Sequence, residues 1–175
     1  MNSAGPLGPD VAALVAAARW DVLPGCPWAG LTVLPLSPQP ARRRPDDPSR
    51  VARVAGDRCG TSADLFTEWA RGLGFPDYFG HNWDALEECL GDVLHPPGHA
   101  DAAELLLVVE EAELLLVAEP PAALATLLSI LDDAADSAPR PEGAATAPGQ
   151  VLRVLFLTLD ARTTVRRLRT AHHAA

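Results

Sequence analysis

Three carboxylates at helical spacing are the feature of this sequence that most suggests chemistry. Asp84, Glu87 and Glu88 stand at positions i, i+3 and i+4, so a helix over this segment places them on one face. Residues 77–92 contain no Lys or Arg, so His81 is the only side chain in this segment that could carry a positive charge. Such a face can bind a basic cleft, supply a general acid and base, or simply be a solvated surface.

The energetics of this segment bear on these three alternatives. Like charges at i, i+4 destabilise a helix by about 0.2–0.5 kcal/mol per pair, and anions such as Glu88 and Asp92 are disfavoured near a helix C-terminus. A purely structural helix would mix in arginine. Catalytic carboxylate pairs do lie about 5–10 Å apart. Two carboxylates exposed on one helix face show no sign of a cleft, however, so we do not expect an enzyme.

The histidines and cysteines give no comparable signal. His95 and His99 are four residues apart, but the Pro-Pro-Gly between them excludes a regular helix, so neither a metal site nor a cofactor is expected. The three cysteines have no paired spacing and are expected to be reduced, with Cys89 facing the core.

The acidic segment itself is predicted to be a short helix. It begins at Asn82, a favourable N-cap residue, and ends near Gly91. Trp83, Leu86 and Leu90 form, with the neighbouring cysteine, an apolar stripe on the face opposite the carboxylates. A turn rich in aromatic residues, at positions 74–80, precedes this helix.

The remaining pattern predicts an α/β fold, with a small parallel sheet of about three strands packed with helices. The predicted strands cover residues 51–55, 105–110 and 151–159, and the predicted helices cover 61–73, 82–90, 111–118 and 120–138. Outside this region, residues 10–20 could form a helix, 31–36 a short edge strand, and 163–175 a short basic helix or a disordered tail. Residues 35–50 and 138–149 are predicted loops.

The charge distribution is uneven along the chain. The net charge of all 175 residues is −9, but residues 51–160 carry 19 acidic residues against five arginines, a net charge of −14. Such a middle region repels nucleic acid and attracts a basic partner. No apolar run is long enough for a membrane span, and the N-terminus makes a poor secretory signal. We therefore expect a cytoplasmic protein.

Residues 75–90 read FPDYFGHNWDALEECL. This segment resembles the signature of the barstar family, in which a Pro and an acidic residue precede two aromatics, Gly-x-Asn, Asp-Ala-Leu and Cys-Leu. The wider order of strands and helices between residues 51 and 159 is also similar to that family.

The resemblance implies a ribonuclease inhibitor whose signature helix and preceding loop fill the active site of a basic, barnase-like enzyme. Acidic side chains then stand in for substrate phosphates. The residues that the resemblance places at this interface are Tyr78, Asn82, Trp83, Asp84, Glu87, Glu88, Gly91 and, from a later helix, Asp133. Asp132 or Asp136 could replace Asp133, because that helix has no signature of its own.

The sequence also departs from the family pattern. Glu88 stands where the family has the shorter Asp, Glu87 replaces a Trp, and residues 91–93 lack a second Trp. Aromatic anchors often dominate interface energetics. The alternative function is therefore a barstar-like interaction domain whose partner is not a ribonuclease.

The resemblance divides the chain into an N-terminal extension and Pro/Arg-rich linker (1–50), a barstar-like domain (51–160) and a basic C-terminal tail (161–175). A chain of residues 50–160 is expected to stay folded and inhibitory, and to lose about 1–3 kcal/mol of stability. Trp20 and Trp28 are too apolar for a free tail, so part of the extension is expected to pack on the domain. The tail arginines Arg166, Arg167 and Arg169 could bind the acidic surface. A monomer is expected.

Overall fold

The computed structural model describes residues 9–33, 51–95, 105–136 and 152–174. Within these ranges four parallel strands form one sheet in the order β1-β4-β3-β2. The strands are β1 (Ala29–Val33), β2 (Val51–Ala55), β3 (Leu105–Glu110) and β4 (Leu152–Thr158). The helices are α1 (Pro9–Ala17), α2 (Ser62–Leu73), α3 (Trp83–Leu94), α4 (Pro121–Asp136) and α5 (Ala161–His172).

The predicted α/β fold with a parallel sheet is confirmed, although the sheet has four strands and not about three. The two central strands are almost continuously apolar: every residue of β3 except Glu110 is buried, and every residue of β4 except Arg153. This pattern is typical of strands covered on both faces. The additional strand is β1, which pairs with β4 in parallel register from Ala29↔Val154 to Val33↔Thr158.

The two faces of the sheet are covered by different parts of the chain. One face, which includes Leu107, Val154 and Phe156, belongs to the main core with the buried side chains of α2, α3 and α4. The other face carries Leu106, Val108, Leu155 and Leu157, which pack against Leu14, Val15, Ala18 and Trp20. Residues 14–20 therefore cover the second face of the sheet, while Val22, Leu23, Cys26 and Trp28 join the main core on the first.

The outer edge of β1 is protected by the residues that precede it. Arg19 and Leu31 exchange two backbone hydrogen bonds of 2.8 Å in an antiparallel bridge. The Trp20 ring lies so close to Gly30 that a Cβ atom there would come within 2.7 Å of it. Trp20 also stacks on the Arg153 guanidinium, 4.2 Å from the ring centroid. These contacts cover an edge that would otherwise be open to pairing.

Two predicted elements differ in the structure. Helix α3 continues past Gly91 to Leu94, because the fully buried Leu94 extends the apolar stripe by one more turn. The prediction of a short α-helix over residues 111–118 is wrong, because this stretch contains a 3₁₀ turn at Ala112–Leu114. Glu111 (φ 49°) and Leu116 (φ 53°) adopt left-handed backbone conformations, which interrupt an α-helix.

The basic C-terminal segment is helical and docks through backbone carbonyl groups. Arg167 donates hydrogen bonds to the carbonyl oxygens of Glu113 (2.6 Å) and Leu115 (2.8 Å), and Arg169 donates to that of Val22 (2.8 Å). These two arginines therefore bind the main chain and not the acidic side chains. Helix α5 lies against the turn after β3 and against the N-terminal segment.

Several predictions fall outside the described residues. They are the loops over 35–50 and 138–149, the end of the strand predicted at 31–36, and His99. Within the described ranges, none of the helices combines the length and the apolar character needed to cross a bilayer.

Candidate functional site

Aromatic packing fixes the loop before α3. The Phe79 ring is buried between Phe75, at 5.0 Å between centroids, and Phe66 of α2, at 6.2 Å. The backbone N–H of Phe79 donates to the Pro76 carbonyl at 3.0 Å, which closes a tight turn. Because Phe79 is buried, the preceding residue, Tyr78, lies on the surface with 77% of its area exposed. The loop thus presents one aromatic side chain to solvent.

Asn82 shapes the N-terminus of α3. Its Oδ1 accepts the backbone N–H of Ala85 at 2.8 Å, and its Nδ2 donates to the Gly80 carbonyl at 3.2 Å. The predicted N-cap is therefore confirmed. The next residue, Trp83, packs edge-on against Phe66 with 4.9 Å between centroids and is half-buried. Both residues position the acidic helix relative to α2.

Replacing Asn82 by Ala should lower the free energy of unfolding by about 1 kcal/mol, because it leaves the Ala85 N–H without its cap. Asn82→Asp is the matched control, since aspartate retains the acceptor and suits the positive end of the helix dipole. Urea denaturation of the two variants measures the difference. Equal stability of the Ala and Asp variants would contradict a capping role.

The carboxylates of α3 face solvent as predicted. Leu86, Cys89, Leu90 and Leu94 are buried in the core, whereas Asp84, Glu87, Glu88 and Asp92 are exposed. Among the residues that the structure describes, the ion pairs are Arg19–Asp21, Arg53–Glu110 and Arg71–Glu68. The four carboxylates of α3 take no part in them, so this face retains its negative charge.

The core side of α3 holds an unreactive thiol. Burial raises the pKa of Cys89, and the negative charges of Asp92 and Glu88 raise this pKa further. A thiol of this kind is protonated at neutral pH and acts as a small apolar group. The chemistry available to α3 is therefore that of its carboxylates.

Helix α4 packs against α3 and carries the three later carboxylates. Asp132 is engaged internally: its Oδ1 accepts the indole N–H of Trp28 at 2.7 Å and the thiol of Cys26 at 3.3 Å. Asp133 and Asp136 are exposed. Of these three candidates, Asp133 and Asp136 can meet a partner without breaking an internal hydrogen bond.

Gly91 leaves the surface of α3 open. It is half-buried, and a Cβ atom built there would meet no heavy atom within 4 Å beyond its own helix and chain neighbours. A partner can therefore approach the helix backbone closely at this position. Together with Tyr78 and the carboxylates, Gly91 completes the surface that the sequence pattern indicates.

A comparison with family models agrees with this geometry. Residues 49–156 match the model described as Barstar (barnase inhibitor), which is well over half of the chain. The matched span includes α2, α3 and α4, whereas β1 and α5 lie outside it. No curated protein matches the chain. The loop and acidic helix described above lie within the matched span, and the chain belongs to the barstar family.

Proposed function

We propose that this protein inhibits a basic ribonuclease by filling its phosphate-binding cleft with the acidic face of α3. The observation that carries the proposal is the exposure of Asp84, Glu87 and Glu88, which form no ion pair with any residue that the structure describes. Membership of a family described as barnase inhibitors supports this function.

The physical basis is charge complementarity. A ribonuclease must hold the RNA phosphate with Arg, Lys or His side chains, and a rigid row of carboxylates complements that positive cleft. Because α3 is capped at Asn82 and packed on its apolar side, little conformational entropy of its backbone is lost on binding. The acidic helix therefore acts as a preorganised mimic of the phosphate backbone.

The proposal gives each surface residue a role. Asp84 and Glu88 bind the phosphate-binding cations, Glu87 adds negative charge beside them, and Tyr78 supplies an aromatic contact. Gly91 allows close approach of the enzyme. The exposed atoms of Asn82 and Trp83 border this surface, and Asp133, or Asp136 in its place, contributes a carboxylate from α4.

Blocking a cleft breaks no bond, so inhibition requires no catalysis and no cofactor. The buried Cys26, Cys59 and Cys89 form no disulfide, which is the usual state in a reducing compartment. Action in the cytoplasm, as a monomer and without direct contact to nucleic acid, is part of the same proposal.

A second candidate is a barstar-like interaction domain with a partner other than a ribonuclease. The observation that favours it is the exposed Glu87, which occupies a position where the family pattern has a Trp. Loss of an aromatic anchor changes the apolar part of an interface more than its charge. The two candidates share a basic partner and differ in whether RNA cleavage is blocked.

The test begins with capture of binding partners from secreted proteins of the source cell on the immobilised full chain. We expect a basic ribonuclease whose RNA cleavage is abolished at one inhibitor per enzyme. Its association rate should fall steeply as salt rises to physiological strength, where the Debye length is about 8 Å. At low salt the rate can approach about 10⁸–10⁹ M⁻¹s⁻¹, the range that the barnase–barstar pair itself exemplifies.

Three results would count against this proposal. Capture of a basic protein whose activity is unrelated to RNA supports the second candidate. A ribonuclease that stays active in the complex would show that α3 does not reach the cleft. An association rate that does not change with salt would show that charge does not guide binding. Asp21→Ala serves as a control, because this exposed acidic residue lies outside the family match.

A further inference from the structure

Three side chains with metal-binding atoms meet where the N-terminal segment, α4 and α5 join. Cys26 precedes β1, Asp132 lies in the last part of α4, and His172 is the last residue of α5. The Cys26 Sγ atom lies 3.1 Å from His172 Nε2 and 3.3 Å from Asp132 Oδ1, and the three ligand atoms all lie within 4.8 Å of one another. Two of these residues lie outside the span that matches the barstar family.

These distances suit a zinc ion. With Zn–S near 2.3 Å and Zn–N or Zn–O near 2.0–2.2 Å, tetrahedral coordination separates neighbouring ligand atoms by about 3.3–3.6 Å. Pairs that include sulfur fall at the upper end of this range, so the observed separations of 3.1 and 3.3 Å need to widen by about 0.3–0.5 Å to admit the ion. A thiolate, an imidazole and a carboxylate together are also a ligand set that zinc commonly accepts.

The surroundings orient the ligands. The Trp28 indole N–H donates to Asp132 Oδ1 at 2.7 Å, which is the kind of outer contact that holds a coordinating carboxylate in place. Cys26 is buried, whereas His172 is half-buried and offers a route for an ion. A water molecule can complete the tetrahedral coordination.

Hydrogen bonding leaves one atom of this cluster, a ring nitrogen of His172, without a partner in the part of the chain that the structure describes. The His172 Nε2 atom faces the sulfur, while its Nδ1 atom is buried and has no hydrogen-bond partner within the described ranges. Asp132 Oδ1 accepts the thiol proton and the Trp28 indole N–H, while the sulfur keeps an unused electron pair. An ion bound between Sγ, Nε2 and Oδ1 uses these electron pairs directly.

The arrangement does not fit a cysteine nucleophile. In such a site the carboxylate orients the histidine, whereas Asp132 contacts the thiol and Trp28. A metal ion would displace the thiol proton to solvent.

We propose that Cys26, Asp132 and His172 bind a zinc ion that fastens the N-terminal segment and α5 to α4. The ion joins three parts of the chain that are far apart in sequence, and its role is structural. The proposal is independent of ribonuclease inhibition, because the cluster shares no residue with the acidic face of α3.

Metal titration of the full chain, first freed of metal by a chelator, tests the site. We expect one equivalent of Zn²⁺ to bind with micromolar or tighter affinity and to raise the thermal midpoint. Co²⁺ is the spectroscopic probe, because a cobalt–thiolate bond gives a near-ultraviolet charge-transfer band that carboxylate or imidazole ligands do not. Cys26→Ser, Asp132→Asn and His172→Gln should each weaken Zn²⁺ binding at least tenfold, whereas His81→Gln and Cys89→Ala should not.

The outcomes are distinct even if a variant folds poorly. Circular dichroism identifies such a variant. In that case the test rests on whether the Co²⁺ spectrum of the unaltered chain shows the cobalt–thiolate band. Absence of the thiolate band, or Zn²⁺ binding that survives in all three ligand variants, would overturn the proposal. Asp132→Asn is the most informative change, because the amide oxygen can still accept the Trp28 N–H while the carboxylate charge is lost.

Discussion

Replacing Asp84 or Glu88 by alanine should weaken binding to the target ribonuclease by about 2 kcal/mol or more each, roughly a thirtyfold rise in Kd. Each change removes a carboxylate that the enzyme's phosphate-binding cations would otherwise contact. Those cations are then left in the interface without a partner, which is the costly outcome for a desolvated charge. Most of the effect should lie in the dissociation rate.

The same variants should remain folded. The two carboxylates are one helical turn apart, so removing either relieves a repulsion of about 0.2–0.5 kcal/mol. For Asp84 this gain is offset, since its charge lies in the first turn of α3 and interacts favourably with the helix dipole. For Glu88 there is no such offset, and stability should rise slightly.

Binding kinetics together with urea denaturation separate the two roles. Asp21→Ala is the charge-matched control, and it should leave the dissociation rate unchanged. If the Asp84 and Glu88 variants bind normally but unfold more easily, the acidic face is structural and the proposed function fails.

Removing residues 1–49 should abolish cooperative folding. Val22, Leu23, Trp28 and Leu31 are each at most 4% exposed, and burial of each such side chain contributes about 1.5–3 kcal/mol. The deletion also exposes the second face of the sheet and the edge of β4. The truncated chain has fewer residues to order and so loses less conformational entropy on folding. The burial free energy that the deletion removes is nevertheless comparable with the 5–15 kcal/mol total stability of a typical domain. The structure therefore indicates a larger cost than the 1–3 kcal/mol expected from the sequence.

Thermal unfolding followed by circular dichroism measures this effect, and point variants in the full chain provide the scale. Trp28→Ala should cost about 3–5 kcal/mol, the usual range for deleting a buried aromatic side chain. Val33→Ala, in the same segment but 52% exposed, should change stability little. A chain of residues 50–175 that unfolds cooperatively within about 3 kcal/mol of the full chain would contradict the prediction.

The sequence predicts the elements whose signals are local. The cap at Asn82, the apolar stripe of α3 and the continuous burial of β3 each follow from residues close together in the chain. The α3 boundary was missed because Gly91 imitates a stop signal, whereas the long-range burial of Leu94 prolongs the helix. The turn after β3 was missed because the left-handed conformation of Glu111 has no signature in its residue type.

Features assembled from distant residues could not be predicted in this way. Nothing in the spacing of Cys26, Asp132 and His172 indicates that they meet, since each comes from a different element. The same holds for Asp132, which stays an alternative to Asp133 at the interface until the Trp28 contact shows that it is engaged internally. Exposure of the α3 carboxylates was predictable, because helical periodicity alone determines which face is apolar.

The pairing of β1 with β4 has a consequence for biosynthesis. Ala29 lies beside Val154, so the first strand to leave the ribosome has no partner until almost the whole chain has been made. At about 5–20 residues per second, that delay is roughly 6–25 s. During this time β2 and β3 can pair, but the edge of β3 that later pairs with β4 stays open. Nascent chains therefore pass through a stage in which a half-finished sheet is open to chaperones and to other nascent chains.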